Sequence, residues 1–333
     1  MEQTLGIWAA ASQVELIAAL ARTLGVRVVA AGAPVRAQGP GVADAFGASY
    51  AADLHDLLAD DRAGCVLLAC LDGEASRSSG LPRAIVRAAA EGRAIATLAP
   101  IPLPTADGAE DWYTPADGRV PAEAIRFGPL LRRAPAAQEA AEVLEAFGDV
   151  RSALIAGHRG GEAPAAGAQL VDALDVLVAY MGEPERVDAA HLAVGRPTRT
   201  GRQAPALDAL HGDVTAHYRF ADGKAAVVAI SDQAGGWSRR ATLLGPAGRL
   251  DLGDGGHRWV DASGRLVDGT ERRDRGDAAL AEVDALADFL SPILQGRATP
   301  PLDAETLGPL VSATLLSTRT GQAESPATIR AMA

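Results

Sequence analysis

The stretch Thr4–Gly25, TLGIWAAASQVELIAALARTLG, carries a strand, a turn and a helix in succession. Thr4–Ala9 is a short apolar run suited to a buried strand. From Ser12 to Leu24, Val14, Leu16, Ile17, Leu20 and Leu24 recur at helical spacing. Ser12 is placed to cap that helix, with Glu15 three residues on in a capping-box pattern, and Gly25 ends it. The same alternation continues downstream. Val26–Ala31 is a second apolar strand, followed by a Gly/Pro-rich loop over Gly32–Gly41. Asp53–Asp60 reads as a short helix, Cys65–Leu71 (CVLLACL) as a strong strand, Leu81–Glu91 as a helix and Arg93–Leu98 as another strand. Uniformly apolar strands joined by helices predict a parallel sheet covered on both faces. The first half is therefore expected to be a doubly wound, Rossmann-like α/β domain. In such sheets ligands sit at the carboxyl ends of the strands, which directs attention to the loops after Ala9, Ala31, Leu71 and Leu98.

The second half has a different texture. Pro100–Pro121 is rich in proline and reads as a linker. Ala134–Phe147 is expected as a helix, Val150–Ala156 as a strand, Gly157–Gly167 as a loop and Leu170–Met181 as an apolar helix. Val214–Phe220 and Ala225–Ser231 form a hairpin about Ala221-Asp222-Gly223. Ala241–Leu244, Arg249–Leu252 and His257–Val260 extend it as a meander, and Asp277–Leu290 and Ala304–Leu316 close the chain as helices. Strands followed by helices predict an α+β domain with a mostly antiparallel sheet. The expected division is residues 1–122 and 123–333.

Composition excludes several function classes. With 333 residues, 48% apolar and 22% charged, the chain is globular, and its formal charge of -11 argues against nucleic acid or an anionic membrane as partner. No apolar run approaches the roughly 18–20 residues that span a bilayer. The start, MEQTLGIW, lacks the basic region of a signal peptide, so a cytoplasmic protein is expected. Cys65 and Cys70 support neither a disulfide framework nor a four-cysteine metal site. The histidines, His55, His158, His191, His211, His217 and His257, show no ligand spacing, and no metal is expected. Lys224 is the single lysine, so any lysine-dependent chemistry has one candidate.

Five segments in order carry a resemblance: Phe46–Asp60, Gly128–Phe147, Asp172–Pro184, Phe220–Gly223 and Leu315–Gln322. Together they resemble the glucose–fructose oxidoreductase, inositol dehydrogenase and MocA family (Gfo/Idh/MocA) over nearly the whole chain. The resemblance implies an N-terminal Rossmann domain, a C-terminal domain on a large open sheet, and hydride transfer between NAD(P) and a sugar, cyclitol or related alcohol.

Compared with the family's patterns, the functional positions depart. Where the glycine fingerprint GxGxxA would fall, Ala9, Ala11, Ser12, Gln13 and Val14 stand. Forcing a β-carbon into the left-handed conformation would cost about 1–2 kcal/mol per residue, leaving Ser12 and the free helix amides as the residual anion site. The stretch Ala30–Pro34 offers no ribose-binding acid, and Arg36 is the nearby group able to meet a 2′-phosphate. In place of the family's Glu-Lys-Pro, the chain has Leu98, Ala99 and Pro100, so Ala99 occupies the usual lysine position. On the substrate-side helix, Asp172 and Asp175 stand where the family has His and Asp. Two carboxylates one turn apart repel, and one acquires a raised pKa if the site is dry; nearby arginines such as Arg132 or Arg133 are the alternative partners. Trp8, near the end of strand one, is placed to fill an emptied cofactor groove.

These departures lead to one expectation and one alternative. The expectation is a pseudo-oxidoreductase that keeps the fold, binds no cofactor and acts as a structural, regulatory or ligand-binding subunit. It would form a homo-oligomer, or pair with a related dehydrogenase, through its C-terminal sheet. The alternative is an active oxidoreductase using NAD or NADP through an atypical cofactor site, with Asp172 and Asp175 as candidate catalytic residues and a sugar or polyol as small-molecule substrate.

Overall fold

The structure, a computed structural model, describes residues 3–71, 81–101, 125–160, 165–192, 207, 210–271, 278–297 and 299–332. It divides into two compact units, each discontinuous in sequence: residues 1–128 with 286–304, and residues 129–285 with 305–333. Most of the Pro100–Pro121 stretch lies outside the described residues.

The first unit is built on six parallel strands. They are β1 (Thr4–Trp8), β2 (Arg27–Gly32), β3 (Ser49–Tyr50), β4 (Cys65–Leu68), β5 (Ala94–Thr97) and β6 (Ile125–Phe127), in the order β3-β2-β1-β4-β5-β6. The order reverses direction between β1 and β4, which makes their carboxyl ends the switch point where ligands enter such sheets. Among the described residues, four helices follow the strands: α1 (Val14–Leu24), α2 (Gly39–Phe46), α3 (Leu54–Leu58) and α4 (Leu81–Ala90). Alternate strand residues feed two cores, as parallel strands buried on both faces require. Leu5, Ile7 and Leu67 pack with Ile17 and Leu20 of α1, while Val66, Leu68 and Ile95 pack with Leu57 of α3 and Ile85 of α4.

Several local devices differ from the sequence reading. The Gly/Pro-rich stretch after β2 contains the start of α2, where Pro40 sits in the first turn, the helical position in which a missing N–H costs nothing. β3, β6 and β14 are short or exposed and give no apolar run to read. Ser12 and Glu15 do not make the expected capping box. Instead a 3-10 turn over Ala11–Gln13 precedes α1, and the Gln13 side chain accepts a hydrogen bond from the Ala10 N–H at 3.0 Å.

The second unit carries an eight-stranded sheet in the order β14-β13-β12-β11-β7-β10-β9-β8. Its strands are β7 (Ser152–His158), β8 (Arg186–Leu192), β9 (Asp213–Arg219), β10 (Ala225–Ser231), β11 (Ser238–Gly245), β12 (Gly248–Gly253), β13 (Gly256–Val260) and β14 (Leu266–Glu271). β7 and β10 run parallel and the other pairs antiparallel. The expected helix over Ala134–Phe147 is two shorter helices, α5 (Pro135–Glu139) and α6 (Ala141–Phe147). The long apolar helix α7 (Ala166–Met181) lies on β7 and β10. The remaining helices are α8 (Ala278–Leu294), α9 (Ala304–Thr320) and α10 (Pro326–Met332). Strand residues alternate between a face buried under α7 and α9 and an open face. Ile155, Val228 and Ala241 are buried, whereas Leu154 of β7 is 50% exposed. No described helix is long and apolar enough to cross a membrane.

Candidate functional site

In the first unit the turn Ala9–Gln13 sits at the switch point. Ala9 N–H donates to Gly32 O at 3.1 Å, tying the turn to β2. Gln13, buried, donates through Nε2 to Ala69 O at 2.9 Å, tying it to the end of β4. Ala10 has φ -70 and ψ 153, Gln13 has φ -96 and ψ -5, and no described non-glycine residue has a positive φ. The alanines therefore carry no left-handed strain, and the conformational argument against them falls. Ala11 and Ser12 are exposed at the start of the turn, where the first amides of a helical segment have no intrahelical partner.

Trp8 does not fill a groove. It is buried in the core with Ala30, Ala51 and Leu68, its ring against Gly32. A β-carbon at Gly32 would lie 2.4 Å from that ring and 2.7 Å from Ala51 O. An acidic side chain at Gly32 and an indole at position 8 thus exclude each other. Arg36 follows in a short turn (Arg36–Gln38), exposed, with no ion-pair partner among the described residues. After β5, the Thr97 hydroxyl donates to Ala99 O at 2.9 Å and accepts from Ala99 N–H at 3.1 Å, and Pro100 is buried. Ala99 offers no polar side chain; Lys224, in the second unit, pairs its ammonium with Asp222 at 3.0 Å and Asp149 at 3.2 Å.

In the second unit Asp172 and Asp175 are both buried on α7, and both are partnered. Asp175 receives Arg132 in a two-pronged contact, Nε to Oδ2 at 2.8 Å and Nη2 to Oδ1 at 2.9 Å. Asp172 Oδ1 accepts from Leu131 N–H at 2.6 Å, and its Oδ2 from Arg239 Nη1 at 3.2 Å. Arg239, from β11, also donates to Pro129 O at 2.9 Å and through Nε to Asp254 Oδ2 at 3.1 Å. The Trp237 indole N–H donates to the same Asp254 oxygen at 3.0 Å, and the guanidinium lies 4.9 Å from the Trp237 ring centroid. Three carboxylates thus face two guanidinium groups. Burial pushes Asp172 up to about 6, against the pull of Arg239 and the Leu131 N–H, with repulsion from Asp175 a lesser cause. Paired carboxylates raise Arg239 and keep it charged.

Sequence reasoning missed Arg239, Asp254 and Trp237. The usable signal was parity: Arg239 shares its strand face with Ala241 and Leu243, both buried, so a charge there needs an internal partner. Of the histidines, His257 is buried against Asp268 and Thr270. His211 pairs with Asp232 at 2.8 Å, another contact not foreseen. Among the described residues no cluster could hold a metal ion. Cys65 is free and buried, and burial pushes its thiol up to about 12, which fits packing rather than redox work.

Six parallel strands with a β1/β4 switch point, followed by a large mixed sheet bearing α7, define the two-domain fold of the Gfo/Idh/MocA-type dehydrogenases. Solved structures share it over almost their full lengths. A putative myo-inositol dehydrogenase from Sinorhizobium meliloti 1021 is 17% identical with TM-score 0.63, covering 97% of this chain and 99% of that one. The myo-inositol dehydrogenase from Corynebacterium glutamicum ATCC 13032 is 19% identical with TM-score 0.61, covering 98% and 99%. A levoglucosan dehydrogenase in complex with NADH and levoglucosan is 14% identical with TM-score 0.68, again covering 98% and 99%. No protein-family model and no curated protein sequence matches the chain.

The expectation of a cofactor-free protein is corrected by these neighbours. The same fold carries NADH in the levoglucosan dehydrogenase and NAD in GenD2 from gentamicin A biosynthesis, which is 17% identical with TM-score 0.62, covering 97% of this chain and 96% of that one. The turn after β1 also lacks the strain that was one of the grounds for that expectation, beside the missing ribose acid, lysine and histidine.

Proposed function

We propose that this chain is a nicotinamide-dinucleotide-dependent oxidoreductase of a sugar, polyol or related alcohol, with an atypical cofactor site. The observation that carries the reading is the unstrained turn Ala9–Gln13 at the switch point of a fold otherwise found in dinucleotide-bound sugar dehydrogenases. The dinucleotide, when bound, supplies the hydride acceptor. The chain's own part is recognition and proton handling. The amides of Ala11 and Ser12 and the Ser12 hydroxyl would hold the pyrophosphate, since small side chains let the backbone approach it. Arg36, exposed beyond β2 and without an ion-pair partner among the described residues, would meet a 2′-phosphate. NADPH should therefore bind more tightly than NADH by about tenfold, the value of one charge-assisted hydrogen bond. Calorimetric titration of wild type and Arg36→Ala checks this: the difference should vanish in the variant, and equal affinities in wild type contradict the assignment.

On the substrate unit, Asp172 is the proposed proton acceptor. A carboxyl held near 6 exchanges protons close to neutral pH, as the histidine found at this place in the family does. Asp175, clamped by Arg132, positions the helix face beside it. The reading is tested by following NADP reduction with myo-inositol, levoglucosan and L-sorbose. Turnover with a rising limb near pH 6 supports it, and no reduction with any of the three contradicts it.

The open face of the eight-stranded sheet is proposed as the pairing surface with a second copy. Leu154 stands at its centre between Val227 and Thr242, with Arg240 exposed further along β11. A two-fold partner would cover this patch with its own. Light scattering should give a dimer or larger assembly, and Leu154→Glu should lower the mass toward the monomer. A wild-type monomer at high concentration contradicts the proposal.

A further inference from the structure

Arg239 divides its guanidinium unequally between two carboxylates. Nε and Nη2 both go to Asp254, the first at 3.1 Å to Oδ2 and the second to Oδ1. Only Nη1 reaches Asp172, at 3.2 Å, and it is shared with Pro129 O at 2.9 Å. A two-pronged contact of this kind is the stronger one and fixes the plane of the group. Asp175 enjoys such a contact from Arg132; Asp172, one turn earlier on the same helix, does not.

Asp254 is built to keep that grip. It lies in the turn that joins β12 to β13, with glycines at 253, 255 and 256 around it. The turn sits close to β11: a β-carbon at Gly253 would come within 3.1 Å of Arg239 O. The Trp237 indole N–H donates to Asp254 Oδ2 at 3.0 Å, and its ring lies beside the guanidinium, 4.9 Å from centroid to Cζ. Carboxylate and guanidinium are thus held together from two sides.

The consequence falls on Asp172. Its buried carboxyl meets a cation whose charge is already largely answered. The other charged groups around it bring no second cation. Asp175 on its own helix repels it and takes Arg132 from the turn Leu131–Arg133. Glu282 of α8 feels Arg239 but pairs with Arg159 at 2.8 Å. A guanidinium given wholly to Asp172 would lock it as the anion.

We propose that Asp254 is a positioning residue for Asp172: it holds Arg239 in a two-pronged contact, limits the guanidinium to one shared contact with Asp172, and so leaves that carboxyl able to take up and release a proton. The use of that proton in turnover rests on the oxidoreductase reading above; the division of the guanidinium does not.

The test follows the Asp172 carboxyl by carbon-13 spectra of the aspartate-labelled full chain, the signal being assigned by its loss in Asp172→Asn. In wild type its midpoint should lie at about 6. Asp254→Asn removes a repelling charge and releases the cation, so the midpoint should fall by about one pH unit. Asp254→Glu keeps the charge and should return it toward wild type. The Asp254 side chain is 19% exposed in a turn, so both variants should fold. A further measurement needs no change in the turn. The nitrogen-15 signal of Arg239 Nε in wild type should stay in place while Asp172 titrates, because its acceptor is Asp254. An unmoved or raised midpoint in Asp254→Asn, an equal shift in Asp254→Glu, or an Nε signal that moves with Asp172 overturns the proposal. If neither dinucleotide binds while the midpoint moves as stated, the oxidoreductase reading fails and the role of Asp254 stands.

Discussion

Replacing Arg239 with methionine is expected to destabilise the second unit by about 3–5 kcal/mol, the cost of stripping a buried charge network of one sign. Arg239 is 6% exposed and satisfies Pro129 O, Asp172 and Asp254 at once. Methionine fills much of the same volume, so little of the loss comes from a cavity. What remains is a pair of carboxylates facing apolar surroundings without a cation. Urea unfolding followed by tryptophan fluorescence measures the loss, since Trp237 contacts the replaced group. The double variant Arg239→Met, Asp254→Leu should recover part of the loss by removing one orphaned charge. A single variant within about 1 kcal/mol of wild type would show that the network is solvated and its burial unimportant.

The second large effect is in pH dependence. Asp172 ordinarily titrates at 3.8, and in the folded chain burial lifts it to about 6. Over that interval the folded state holds a proton that the unfolded state has lost, so stability falls as pH rises through it. The fall amounts to about 3 kcal/mol, at 1.36 kcal/mol per pH unit. Asp172→Asn cannot titrate, and its amide oxygen can still accept from the Leu131 N–H. The variant should therefore gain on wild type by about that amount between about pH 4 and pH 7. Melting temperatures of both proteins across this range give the difference directly. The variant should also lose the limb near pH 6 in any oxidoreductase assay. A constant difference in stability across the range contradicts the raised value.

How much of this the sequence discloses depends on range. β1, β2, β4 and β5 are buried on both faces, so their apolar runs are unbroken and they read without ambiguity. β3, with two exposed residues, and β14, with Leu266 and Val267 exposed, bury too little to leave a pattern. Asp172 and Asp175 stand out because two acids on an apolar helix must find partners. Arg132, in the segment leading to α5, was a natural candidate for one of them. The other partner, Arg239, comes from a strand 67 residues further on, and only the folded sheet brings it under α7. The turn after β1 shows the reverse case. Its residue types suggested strain, but strain belongs to φ and ψ, and Ala9–Gln13 reaches the switch point without leaving negative φ. The glycine at position 32 likewise has a packing cause, the Trp8 ring against it, which spacing alone does not reveal.

Binding of a nicotinamide dinucleotide by the first unit is the property on which the proposed function depends. Isothermal titration of the intact chain with NADPH and NADH measures it most directly. Saturable binding of both, tighter for NADPH and weakened by Arg36→Ala, is the expected result. No heat and no rise in melting temperature with either nucleotide at millimolar concentration would contradict it.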